Sequence, residues 1–348
     1  MHLIRQFNLA DNTSTARTVL PGVIVASAIT LLAFGLAWIQ ERFIDHAILE
    51  PLVLSLILGL LIRLVWNPSP RLGKGISFAG KQVLEFAIVV LGITLNLGAL
   101  VDAGWKILAS VLLLVSMTLI IGITLGKAMG LNARLATLVA VGNAICGNSA
   151  IAAVAPVIRA RKEEVAAAIA LTAVLGVGVV LVLPLLVPLL NLSHERYGVV
   201  AGLSVYAVPQ VLAATFSVSA TSGQIGSLVK LTRVMMLGPV VGLFAWLYRE
   251  KDDHASKSLQ ISKFLPWFVG GFFLFAGIRT AGLMPAGLVD PATNLSRILT
   301  AVAMAGLGLG VDIRTVRQFG GTVVNVVLIL TVLLVISALA VTAVLGIG

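Results

Sequence analysis

The sequence predicts an all-α polytopic membrane protein of about eleven transmembrane helices: one leading helix, then two inverted five-helix repeats with broken crossing helices. Three observations carry that expectation. Of 348 residues, 59% are hydrophobic and 11% charged, and the mean hydropathy is +1.08, which leaves too little polar surface to coat a soluble globule of this size. Apolar runs of about 17 to 25 residues, long enough to cross a hydrocarbon core, recur along nearly the whole chain. One of them carries a polar stretch at its centre, which is costly in lipid unless the backbone opens there.

In chain order, residues 1–18 form a polar segment with Arg5 and Arg17. No short apolar core with a small-residue cleavage site precedes Asp11, so the segment does not read as a cleaved signal. The leading helix is expected at 19–39. Further spans are expected at 48–66, 82–101, 107–128, 133–157 and 165–190, which form the first repeat, 48–190. The second repeat, 197–346, holds spans at 197–218, 226–248, 264–281, 295–312 and 321–346. The linkers are too short for a separate soluble domain, so 19–348 reads as one transmembrane transporter domain.

Lysine and arginine placement orients the chain. With the N-terminus in the cytoplasm, Arg63, Arg71, Lys74, Lys81, Lys127, Arg134, Arg196, Arg249, Lys251, Lys257, Lys263, Arg314 and Arg317 join Arg5 and Arg17 on the inner side. This bias agrees with the positive-inside rule, and the expected location is the inner (plasma) membrane. Arg159, Arg161 and Lys162 run against it, because eleven crossings put them outside. They either escape the rule or draw an anion to the outer mouth.

The net charge of +10 does not signal nucleic acid, because the cations are scattered among loops where anionic lipid accounts for them. The single cysteine, Cys146, excludes a disulfide framework. His2, His46, His194 and His254 lie in polar termini or loops without a second histidine at helical spacing, so no metal site and no cofactor are expected. An enzyme is not expected either: no span holds a histidine, and Cys146 has no evident base. The expected partners are a small anion and membrane lipid, with a homodimer left open.

The polar interruption is Gly142 to Ala150, inside an otherwise apolar run. An interrupted membrane helix is the usual pointer to a transporter's binding site. Asn143, Asn148 and Ser149 offer amide and hydroxyl groups, and the backbone around Cys146 and Gly147 offers N–H groups, the chemistry that a small oxyanion needs. The competing reading is that these groups only glue helices together. Lys230 and Arg233, three apart and on one helical face, are the candidate counter-charges. Either they turn inward to the substrate or they snorkel to the interface.

The fifth and tenth spans fall in equivalent positions of the two repeats. The tenth holds Gly306, Gly308 and Gly310, so Gly306 and Gly308 are candidate ligand-lining positions of a second unwound segment; close helix packing is the alternative. Leu91–Gly98 (LGITLNLG) and Ala305–Asp312 (AGLGLGVD) look alike, as an internal repeat or shared packing glycines would. Glu85 is a candidate coupling group for H+ or Na+, or else an interfacial partner of Lys81. Thr94, Asn96, Gln210 and Asp312 are second-tier candidates.

The string GNAICGNSAIAAVAPVI, Gly142 to Ile158, resembles the signature of the YeiH-like sulfate-exporter family of membrane proteins. The likeness extends to EFAIVVLGITLNL at Glu85 to Leu97, to VKLTRVMMLGPVV at Val229 to Val241, and to the AGLGLGVD stretch. It implies a fold similar to bile-acid symporters and NhaA-type antiporters, with inverted repeats and crossing broken helices. It also implies export of sulfate or another sulfur oxyanion; an organic carboxylate or sulfonate, moved with H+ or Na+, is the alternative cargo, and an anion channel the alternative mode. Where the family has a histidine and an acidic residue before a Gln-Val pair, this chain reads Tyr206 Ala207 Val208 Pro209 Gln210 Val211, so no ion-handling role carries over there. A sodium/proton antiporter would want carboxylates at the crossing, and residues 142–158 and 298–311 have none.

Overall fold

The computed structural model describes residues 12–43, 50–95, 101–248, 266–311 and 321–346, and among them every regular element is helical. Among the described residues, seven helices are long and apolar enough to cross a membrane: Thr18–Gln40, Pro70–Gly92, Gly104–Ala128, Lys162–Leu190, Ala220–Leu247, Val289–Gly310 and Gly321–Val344; Pro51–Val65 and Trp267–Thr280 are shorter apolar helices. The chain is a multi-pass membrane protein of the all-α class.

The chain divides into two compact units, Met1–Ala87 with Asn294–Asp312, and Ile88–Thr293 with Ile313–Gly348. The first unit holds α1 (Asn12–Phe43), α2 (Pro51–Val65) and α3 (Pro70–Phe78). A π-turn at Ala79–Val83 leads from α3 into α4 (Leu84–Gly92), and most of α15 (Val289–Gly310) also belongs here. Ala26, Ile29, Ile76, Ala79, Ala305 and Leu309 form its apolar core. Glu50, just ahead of α2, pairs with Arg297 of α15 at 2.7 Å, and Ser296 Oγ donates to the Ala87 carbonyl at 2.8 Å.

The expected interruption of the tenth span is corrected here. Helix α15 runs unbroken for 22 residues. A Cβ on Gly306 would lie 2.7 Å from the Gly80 nitrogen, and one on Gly308 would strike the Leu56 carbonyl. These glycines let α15 approach the backbones of α2 and the π-turn, the packing use of small residues in membranes.

In the second unit, α5 (Val101–Ala128) packs antiparallel to α6 (Ala133–Ala144). A turn at Ile145–Gly147 separates α6 from α7 (Asn148–Val154). Helix α8 (Lys162–Val182) passes through a 3-10 turn at Pro184 into α9 (Leu186–Leu190). Then come α10 (His194–Ser204), α11 (Val208–Phe216), α12 (Ala220–Met235), α13 (Leu237–Leu247), α14 (Trp267–Thr280) and α16 (Gly321–Val344).

Neither the fifth nor the seventh expected span crosses the membrane; each is a re-entrant hairpin. In the first, the Asn132 side chain ahead of α6 lies beside the Glu164 carboxylate at the start of α8. Further along both helices in the same direction, Gly142 lies against Thr172. So α6 runs parallel to α8. Helix α7 then returns: Ile151 packs on Gly142 across the turn, and Thr172 Oγ1 donates to Asn148 Oδ1 at 3.0 Å. In the second hairpin, Ser222 Oγ at the start of α12 donates to the His194 carbonyl at 2.9 Å, while Gly202 lies against Val229 and Gly226. That makes α10 parallel to α12. Tyr197 OH donates to the Ala214 carbonyl at 2.8 Å, which brings the end of α11 back beside the start of α10.

Length explains why the sequence misleads. Each hairpin totals a membrane-spanning number of residues, yet α6 has 12 residues and α7 has 7, arms of roughly 18 Å and 10 Å against a core of about 30 Å. Between the hairpins, the 29 residues Lys162–Leu190 extend for about 40 Å and cross fully. The hairpins therefore enter from opposite faces. Residues 129–132 and 159–161 share one face; 191–193 and 217–219 share the other. The end of α16 lies at that second face, where Arg196 donates to the Leu339 carbonyl at 3.3 Å, a cation at a helix C-terminus.

Candidate functional site

The tips of the two hairpins meet inside the second unit. A Cβ on Gly147 would sit 3.7 Å from the Tyr206 Cβ. Gly147 has φ 66° and ψ −124°, a left-handed conformation open to glycine and strained for any side chain. This residue turns the first hairpin. In the second, Val205 and Ala207 are extended and Pro209 begins α11, where its missing N–H costs nothing. Gln210 Oε1 accepts from the Ala207 N–H at 3.1 Å and Nε2 donates to the Ala173 carbonyl at 3.4 Å. Gln210 thus caps the turn and ties it to α8.

Two helices end at these tips, α6 and α10, and each leaves carbonyls that no intrahelical N–H can satisfy. Helix α12 supplies the donors. Arg233 Nε donates to the Ala144 carbonyl at 2.9 Å, and Nη2 donates to that of Asn143. Its Nη1 donates to the carbonyls of Gly202, Leu203 and Val205. Lys230 Nζ donates to Ile145, and to Val205 at 2.9 Å. Both side chains are fully buried, at 0% and 1% exposure. Neither snorkels, and each bridges the two tips.

Among the described residues, no acidic side chain is a partner of Lys230 or Arg233. At this depth both basic side chains are held by main-chain carbonyls at the ends of two helices, each C-terminus contributing about half a negative charge. The Arg233 guanidinium is a source of positive potential in a low-dielectric region, where its reach is longer than in water.

The remaining candidates fall around this clamp. Asn143 is fully buried; its Nδ2 donates to the Val139 carbonyl at 2.9 Å, and its Oδ1 has no hydrogen-bond partner. Cys146 is buried and its thiol is free. Asn148 and Ser149, the first residues of α7, are exposed. Polar side chains exposed this far from either end of the hairpin face water or a solute rather than lipid.

Other candidates lie elsewhere. Gly306, Gly308 and the half-buried Glu85 belong to the first unit. Thr94 is buried and spends its hydroxyl on the Leu91 carbonyl at 2.8 Å. Asn96 and Asp312 lie outside the described residues. Sequence reasoning missed Tyr206, whose hydroxyl bonds Thr331 of α16, and Thr172, which holds Asn148. A signal was there: Gly198 and Gly202, with Gly226, are the small residues that let α10 lie against α12, and Pro209 breaks the seventh span.

Comparison with known proteins gives the family. The model of the family described as conserved hypothetical protein 698 matches residues 21–342. A UPF0324 membrane protein of Bradyrhizobium diazoefficiens is 43% identical over 326 residues, 93% of each chain. A UPF0324 membrane protein of Brucella melitensis is 46% identical over 310 residues, 89% of this chain and 86% of the relative. One of Oceanobacillus iheyensis is 31% identical over 338 residues, 95% and 97% of the two chains. No solved structure matches. The class defined by fold and sequence is a polytopic helical membrane protein with paired re-entrant hairpins. The chain belongs to the UPF0324 membrane protein family.

Proposed function

We propose that the chain is a secondary transporter that carries a small anion past the two hairpin tips by alternating access. One observation carries this reading: Lys230 and Arg233 are buried between the tips with no carboxylate partner among the described residues, while Asn148 and Ser149, at the start of α7 just past the first tip, are exposed. A cation substrate would be repelled there; an anion gains from the potential and from the hydroxyl and amide donors. Hairpins entering from opposite faces give each side of the membrane its own gate, an architecture suited to alternating access.

Sulfate or another sulfur oxyanion is the leading cargo, on the resemblance to YeiH-like exporters, and a carboxylate or sulfonate is the second. The first hairpin also supports a cytoplasmic N-terminus. With 129–132 and 159–161 on one face, Arg159, Arg161 and Lys162 join Lys127 and Arg134 on the inner side, which removes that exception to the positive-inside rule and moves Arg196 to the outer side.

The test is counterflow in proteoliposomes against a panel of oxyanions, carboxylates and sulfonates. The expected result is saturable exchange of at least one anion, lost in Asn148→Ala and Ser149→Ala variants that fold normally. Non-saturating conductance would favour a channel, and no movement of any anion in the panel would refute the reading.

A further inference from the structure

Main-chain carbonyls from the ends of two helices, Asn143, Ala144 and Ile145 on one side and Gly202, Leu203 and Val205 on the other, converge on one place. Such a set suits a hard cation, since it offers oxygen ligands and two negative dipole ends. Without a positive charge among them, the facing helix ends would repel each other, and their buried carbonyls would lack partners. The chain fills the place with its own cations. Lys230 Nζ binds one carbonyl from each tip, Ile145 and Val205, and Arg233 takes the others.

We propose that the Lys230 ammonium occupies a latent alkali-metal site at the hairpin tips, so that the natural protein works without sodium and loss of the ammonium opens the site to sodium or lithium. A mobile cation has no room electrostatically while two fixed charges sit among the same oxygens. Removing Nζ leaves the Ile145 carbonyl without the donor that holds it and halves the fixed charge. A small metal ion then restores both. The inference rests on the anion-transport reading only for its consequence that no sodium gradient drives the cycle; the site itself is independent of any cargo.

The experiment therefore needs no transported anion. The natural protein and Lys230→Met, which keeps an apolar stem, are purified in detergent. Each is melted in sodium, lithium and choline chlorides at equal ionic strength. The natural protein is expected to melt at the same temperature in all three. Lys230→Met is expected to lose about 5 °C in choline and to regain most of it in sodium or lithium, saturably with concentration. Sodium-specific stabilisation of the natural protein overturns the proposal, as does a variant that melts alike in all three salts. If Lys230→Met does not fold, Lys230→Gln takes its place with the same outcomes, and the response of the natural protein to sodium is decisive in either case. Failure of every anion to move in proteoliposomes, with this salt pattern intact, would sink the transport reading and leave the cation site standing.

Discussion

Gly147 and Tyr206 face each other across the hairpin tips, with 3.7 Å between the Tyr206 Cβ and the position a Gly147 Cβ would take. Space is therefore not what demands glycine; the backbone at φ 66° is. Gly147→Ala should fold with a penalty of about 1 kcal/mol from backbone strain, a fall of roughly 2–4 °C in melting temperature. A loss of more than 10 °C, on the order of several kcal/mol, would mean that the tips pack more tightly than described.

Arg233 answers five carbonyls, and no lysine reproduces its planar fork. Arg233→Leu should leave those groups unsatisfied and cost about 3–5 kcal/mol or prevent folding. Arg233→Lys should fall between that variant and the natural protein. Melting curves in detergent check the order; equal stability of Arg233→Leu and the natural protein would contradict the clamp.

Thr172 links α8 to the first hairpin through Asn148. Its single hydroxyl proton is shared between Asn148 Oδ1 and the Ala168 carbonyl, each at 3.0 Å, and Thr172→Val removes the tertiary hydrogen bond while leaving an isosteric side chain. The expected cost is about 1 kcal/mol, with a larger effect on function because Asn148 loses its orientation. A double-mutant cycle with Asn148→Ala should show coupling near the same value; full additivity would show that the contact is idle.

Re-entry of the hairpins fixes which loops share a face. In a Cys146→Ala background, single cysteines at Gly130 and Ala160 should react with an impermeant thiol reagent from one side of intact vesicles, and those at Asn191 and Ser217 from the other. If Gly130 and Ala160 label from opposite sides, the first hairpin crosses after all.

The membrane class was legible because composition and run length are set by the bilayer itself. So was the break at Gly142 to Ala150, where polar residues interrupt an apolar run. The sense of the break was not: a hairpin and a kinked crossing have the same length and hydropathy, and only the contacts of Asn132 with Glu164 and of His194 with Ser222 distinguish them. Glycines misled in the other direction. Gly306 and Gly308 look like an unwound segment in sequence, yet their missing side chains serve helix contact. Lys230 and Arg233 were recognised as a pair, but their engagement by carbonyls depends on two turns 60 residues apart in sequence, beyond the reach of local patterns.

The claim that the hairpin tips hold an anion is tested most directly by protection of a thiol at Ser149. In Cys146→Ala, Ser149→Cys protein reconstituted in vesicles, reaction with the uncharged reagent N-ethylmaleimide is timed with and without each anion of the panel at constant ionic strength. Saturable slowing by an oxyanion, and none by choline or an uncharged solute, is the expected result. Labelling that no anion slows, in protein that still transports one, would contradict the site.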